Sequence, residues 1–112
     1  MAGTIKRTVG PVALTTTLTA NVYNQSSALI YDVIKIIQVC NKTASAATFS
    51  LWLGATGANA AGTELFTAVS VPANTTNFYY VNIKMTSTDF LVGGAGTTTA
   101  LTLTATGEQF VV

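Results

Sequence analysis

Histidine is absent from this chain. With it goes the side chain that most often acts as general base, activates a nucleophile or ligates a transition metal near neutral pH. An enzymatic reading would have to rest on four carboxylates, Asp32, Glu64, Asp89 and Glu108. Glycoside hydrolysis needs two such groups facing one bond. Nothing in the spacing of Asp32 and Glu64, or of Asp89 and Glu108, points to such a pair. Asp32 is expected on an exposed edge or beside Lys35, and Asp89 in a turn. The chain is therefore read as a non-enzyme, with no cofactor and no metal site.

Charge is the next scarcity. Five basic and four acidic residues make up 8% of 112 positions, with a net charge of +1. Soluble domains carry charge on about a quarter of their residues, so much of this surface is expected to be covered by partners. The weak field gives no steering toward nucleic acid or an anionic membrane, and the basic residues are dispersed except for Lys6-Arg7. The single cysteine, Cys40, cannot form an internal disulfide and is expected as a buried, inert thiol. Although 49% of residues are apolar, Thr, Asn or Gly interrupts every apolar run well short of the roughly eighteen residues a spanning helix needs. Lys6-Arg7 followed by residues 9–14 faintly imitates an export signal, but Pro11 and Thr15-Thr16-Thr17 break it.

What the chain has is β patterning. Its length fits one domain, 1–112, able to bury roughly 65% of its unfolded surface, with a short N-terminal arm through about residue 10. Val12, Leu14, Thr16, Leu18, Ala20 and Val22 alternate with mostly Thr, which predicts a first strand or strand pair there. Leu29–Cys40 is the most apolar segment. Ile30, Val33, Ile34 and Ile37 also fit a helical stripe, but β-branched residues lose rotamer freedom in a helix, so a long core strand is expected. After a polar turn at Asn41–Ser45, Phe49, Leu51 and Leu53 alternate with Thr48, Ser50 and Trp52, which predicts a central hairpin with the preceding strand.

The stretch Gly54–Gly62 contains no large apolar residue and reads as an exposed loop. It has neither the Gly-Lys-Ser/Thr nor the following helix that a phosphate cradle requires. Strands are expected at Leu65–Val71, with Leu65, Thr67, Val69 and Val71 on one face, and at Phe78–Met85, whose two faces both carry aromatics. A short strand at Phe90–Val92 ends at Gly93-Gly94. Leu101, Leu103 and Ala105 alternate with Thr before Gly107, where a bulge is expected. Seven to eight short strands without a convincing helix predict an all-β antiparallel sandwich of jelly-roll or immunoglobulin-like type.

Candidate contact residues follow from chemistry. Trp52, Tyr79 and Tyr80 would suit a sugar-stacking platform, but aromatics on strands more often serve a core or a subunit interface. Lys6 and Arg7 are candidates for reaching an acidic patch on a neighbour. The apolar end, Phe110, Val111 and Val112, is expected to dock on the sheet or on a partner. Sequons begin at Asn24, Asn41 and Asn74, a match that chance explains in a chain rich in Asn and Thr.

The run Val39-Cys-Asn-Lys-Thr-Ala-Ser-Ala-Ala-Thr-Phe-Ser-Leu-Trp-Leu53 resembles segments of small virion structural proteins of tailed bacteriophages. Asn21-Val-Tyr-Asn24 before it, Val71-Pro-Ala-Asn-Thr75 after it and the late strand Leu101–Glu108 add to the likeness. The resemblance covers about three quarters of the chain and lies in β patterning rather than in a catalytic motif. It implies a β-sandwich that assembles on the particle, as a head decoration or cement protein or as a tail- or fibre-associated subunit. The expected partners are the major capsid protein or other virion subunits and further copies of the chain, as a dimer or trimer. The expected location is the capsid surface of the virion, after assembly in the host cytoplasm. A carbohydrate-binding module is the alternative of another class.

Overall fold

A computed structural model describes residues 3–111. Eight strands account for most of them: β1 (Thr4–Ala13), β2 (Asn21–Asn24), β3 (Ile30–Asn41), β4 (Ala47–Gly54), β5 (Glu64–Val71), β6 (Thr75–Met85), β7 (Phe90–Ala95) and β8 (Leu101–Val111). They pair antiparallel into two four-stranded sheets, a first sheet ordered β1-β8-β3-β6 and a second ordered β2-β7-β4-β5. The pairing joins β1 with β8, β2 with β7, β3 with β6 and β4 with β5. That is one long antiparallel ribbon wound into a sandwich, the strand order of a jelly roll. An immunoglobulin-like sandwich would group its strands as A-B-E-D and C-F-G instead.

The core lies where the inner rows of the two sheets meet. Ile34, Ile37 and Val39 of β3, with Leu101, Leu103 and Ala105 of β8, face Phe49 and Leu51 of β4 and Leu91 of β7. Each fully buried large side chain contributes roughly 1.5–3 kcal/mol. At one end Phe49, Phe66 and Tyr79 form an aromatic cluster with centroids 5.2–5.5 Å apart. The stripe that also fits a helix is thus resolved as a strand, with β3 pairing on both sides, against β8 and β6.

A bend in the first sheet shapes its outer surface. From Ile34 to Ile36, β8 advances only from Gly107 to Thr106, while β6 advances from Ile83 to Tyr80. On β1, the step from Arg7 to Val9 is likewise matched by the single step from Thr106 to Ala105. Gly107 does not bulge itself; it makes room for its neighbours. A Cβ there would lie 2.0 Å from the Val33 carbonyl oxygen. With Ile34 and Ile37 both buried, Lys35 and Ile36 fall together on the outer side.

Several expectations are corrected. β3 and β4 form no hairpin, because they belong to different sheets. The turn between them is a corner held by Asn41, whose Nδ2 donates to the carbonyls of Ser45 (2.9 Å) and Val71 (3.0 Å). The alternation over Val12–Val22 does not continue as a strand: β1 ends at Ala13, Leu14 is buried, and the chain crosses to the second sheet before β2. The segment expected as an N-terminal arm is a strand from Thr4 onward, since β8 offers it an open edge from Gln109 to Thr102. Met1 and Ala2, the start of that arm, lie outside the described residues. In β5 the expected single face is broken at Ala68, which takes φ 46° at a bulge and leaves Thr67 exposed.

Asp32 is wholly buried rather than on an exposed edge, and Lys35 donates to Asn82 Oδ1 at 2.8 Å instead. The Asp32 carboxylate accepts from the Tyr23 hydroxyl and, at 3.0 Å, from Gln25 Nε2, groups that come from β2 and the residues after it. Burial first, then the hydrogen bond to Asp32 and its charge, raise the Tyr23 hydroxyl pKa well above the ordinary tyrosine value. Cys40 is half-buried, because it alternates with the inward Val39 and Asn41 and so belongs to the outer row of β3.

Candidate protein interface

The two sheets differ in what lies on their outer sides. On the second sheet the outer row is Thr48, Ser50 and Trp52 of β4 with Val92 and Gly94 of β7, paired as Ser50 with Gly94 and Trp52 with Val92. Only 8% of Trp52 is exposed and none of Val92. The segment between β1 and β2 curls over this face. Thr15 accepts from Ala95 N at 2.8 Å, and a Cβ on Gly94 would lie 2.4 Å from the Thr15 carbonyl oxygen. A second cover comes from the Gly54–Gly62 loop, which reaches from the end of β4 to β2. There Asn21 Nδ2 donates to Thr56 Oγ1 at 2.9 Å and Gly57 N donates to Asn21 Oδ1 at 2.8 Å. Because β7 lies between β4 and β2, the loop spans β7 to make these bonds.

Among the described residues the first sheet has no such cover. Its outer rows are Ile5 and Arg7 of β1, Thr102, Thr104, Thr106, Glu108 and Phe110 of β8, Tyr31, Val33, Lys35, Ile36, Gln38 and Cys40 of β3, and Thr76, Phe78, Tyr80, Asn82 and Lys84 of β6. Ile5 is 77%, Tyr80 79% and Phe78 54% exposed. Tyr80 sits directly opposite Ile36, which in turn faces Thr106. At the bend, Ile5, Lys35, Ile36, Thr106, Gly107 and Glu108 surround a shallow hollow of about 200 Å³.

Farther along, Tyr31 and Phe110 stack at 5.0 Å and 11°, with Lys84 Nζ 4.6 Å from the Tyr31 ring centre. This stack holds two rings and a cation in fixed positions with little rotamer freedom left to lose on binding. Arg7, Lys35 and Lys84 outnumber Glu108 on this face. Large apolar and aromatic groups ringed by a few cations, of which Lys35 and Lys84 are held by neighbours, suit a protein partner with acidic groups at its rim.

The residues singled out from sequence are divided by this geometry. Arg7, Tyr80 and Phe110 lie on the exposed face. Lys6 pairs with Gly107 in the row facing the other sheet and is half-buried, so it leaves the face to Arg7. Tyr79 also points inward, into the Phe49–Phe66 cluster. Val111 is 58% exposed at the end of β8, opposite Ile30, and Val112 lies outside the described residues. Ile5, Tyr31, Ile36, Phe78 and Lys84 join the face without having been singled out. The alternation of Phe78 and Tyr80 signals two of these positions; Ile36 carries no signal, because its exposure arises from the bend.

The sugar-stacking trio is not assembled: Trp52 is buried under loops, Tyr79 is in the core, and Tyr80 alone is open. The carboxylates are likewise separated. Asp89 Oδ2 accepts from Thr86 N (2.8 Å) and Thr86 Oγ1 (3.0 Å) in the turn before β7. Glu64 caps the loop at Gly62 N (2.6 Å), and Glu108 stands on the outer face of the first sheet. Two sequon asparagines are engaged in structure, Asn41 at its corner and Asn24 as donor to the Asp89 carbonyl at 2.7 Å. No helix among the described residues is long and apolar enough to cross a membrane. No protein-family model and no curated protein matches the chain.

Proposed function

We propose that this chain is a structural protein of a tailed-phage virion, a capsid decoration or cement protein that docks the outer face of its first sheet on the head and bridges capsid subunits. The observation that carries the reading is that uncovered face, with Ile5, Phe78 and Tyr80 more than half exposed, on a chain with only 8% charged residues. An apolar patch of this kind marks a protein-interaction surface. The sequence resemblance and the jelly-roll strand order, which recurs in viral capsid and lectin domains, support it by analogy.

The mechanism needs no chemistry. A copy that touches more than one capsid subunit adds its binding free energy to the lattice, because subunits that move apart must first release it. Tyr80 and Phe78 have the character of binding hot spots, each worth about 2 kcal/mol or more when buried in a partner. Further copies of the chain and the major capsid protein or other virion subunits are the partners in this reading. The capsid surface is its location, with the host cytoplasm its place during assembly.

Quantitative mass spectrometry of purified particles tests it, by the ratio of this chain to the major capsid protein. A ratio near that of the lattice is expected. A few copies per particle would move the chain to the tail or fibre, and absence from particles would overturn the virion reading.

A further inference from the structure

The four strands at the margins of the sheets differ in how they guard their unpaired backbone groups. β1 carries Lys6, Arg7, Pro11 and two register shifts. β2 is four residues long. β5 has two register shifts and the left-handed Ala68. Short length, charge, proline and bulges are the devices by which sheets refuse a further strand. β6 is long and free of proline. It runs for eleven residues, alternates exposed and half-buried side chains from Phe78 to Lys84, has Lys84 as its one charge, and steps register once against β3, between Ile83 and Tyr80. Among the described residues it pairs only with β3, and no strand flanks its other side.

We propose that this open edge takes the β6 strand of a second copy, antiparallel about a two-fold axis at Tyr80, so that two first sheets join into one of eight strands. The β6 sequence is self-complementary in that register. Tyr80 lies opposite the partner's Tyr80 on the outer side, and Tyr79 opposite the partner's Val81 on the inner side. Aromatic–aromatic and aromatic–β-branched pairs are the favourable cross-strand combinations. Asn82 meets the partner's Phe78, and Lys84 meets the partner's Thr76. The two lysines stay eight positions apart, roughly 27 Å, well beyond the screening length of about 8 Å. A two-fold axis normal to the sheet keeps both outer faces on one side. The paired molecule therefore offers a doubled docking surface, which lets a weak single contact become a strong bivalent one. The pairing stands apart from the virion reading, since it needs nothing but this chain.

Sedimentation equilibrium of the purified chain, together with cysteine substitutions in a Cys40→Ser background, tests the pairing. The expected species is a dimer at about twice the 11.6 kDa chain mass. Under mild oxidation Tyr80→Cys should form linked dimers at least about tenfold faster than Thr104→Cys on β8, since only the former holds its thiols at high effective concentration. Phe78→Cys and Asn82→Cys should link poorly alone but readily when mixed, because they meet each other across the axis. All four positions are on the outer row, so these variants should fold. A monomer at every concentration would overturn the proposal, as would linking fastest at Thr104→Cys, the mark of face-to-face association.

Discussion

Among the described residues, the second sheet is closed from both sides, by the first sheet within and by two loops without, whereas the first sheet is closed only from within. Trp52 and Tyr80 show the difference. Both are large aromatics on outer rows, yet 8% of one and 79% of the other is exposed. The cover over Trp52 uses small residues: Gly94 admits the Thr15 carbonyl, and the Gly54–Gly62 loop lies flat enough to tie to Asn21. A chain that covers one face with its own loops and leaves aromatic rings bare on the other divides the labour of its two sheets. Both sheets supply inner rows to the core; the first alone leaves large aromatic side chains bare on its outer row.

The contrast can be broken most severely at Trp52. Trp52→Ala should cost about 4 kcal/mol of stability, read as a fall in the urea midpoint at unchanged slope. Asp32→Ala comes next, at about 3 kcal/mol by the same measurement, because it leaves Tyr23 and Gln25 without their shared acceptor where the two sheets meet. Gly94→Ala should cost about 2 kcal/mol, since its Cβ must displace the Thr15–Thr17 segment. Hydrogen exchange in that variant should rise first at Ala95 N, the donor to Thr15.

A smaller effect is set by pH. The folded state raises the Tyr23 pKa, so its contribution is fully present below the unfolded value of about 10 and is lost as pH rises above it. The fall in thermal midpoint above that pH should be shallower in Tyr23→Phe. The smallest effect on the fold belongs to Tyr80→Ala, within about 0.5 kcal/mol, while the same change should weaken partner binding by about thirtyfold or more.

Much of the fold is legible along the chain and much less of the face. Period-2 alternation marks β4, β6 and β8, because each has one row against the core, whereas β3 is marked by its β-branched residues, its alternation being broken at Lys35 and Ile36. Which strands pair is a non-local matter, and the corner at Asn41 that sends β4 to the other sheet reads like an ordinary hairpin turn. The Asp32 environment depends on Tyr23 and Gln25 arriving from the opposite sheet, which spacing does not encode. Trp52 is correctly placed on an outer row, but the loops that bury it consist of Gly, Ala and Thr and give no apolar signal. Ile36 is turned outward by a step in register around Gly107, and only the assembled sheet shows it.

The most direct test of the docking face is oxidative footprinting of the chain on assembled particles against the isolated protein. Protection is expected at Ile5, Tyr80 and Phe78, with residues 55–62 labelled equally in both states; Ile5 is the telling position, being on β1, at the far edge from β6. Protection of residues 55–62 with Ile5 and Tyr80 still labelled would show that the covered sheet faces the partner and would contradict the account.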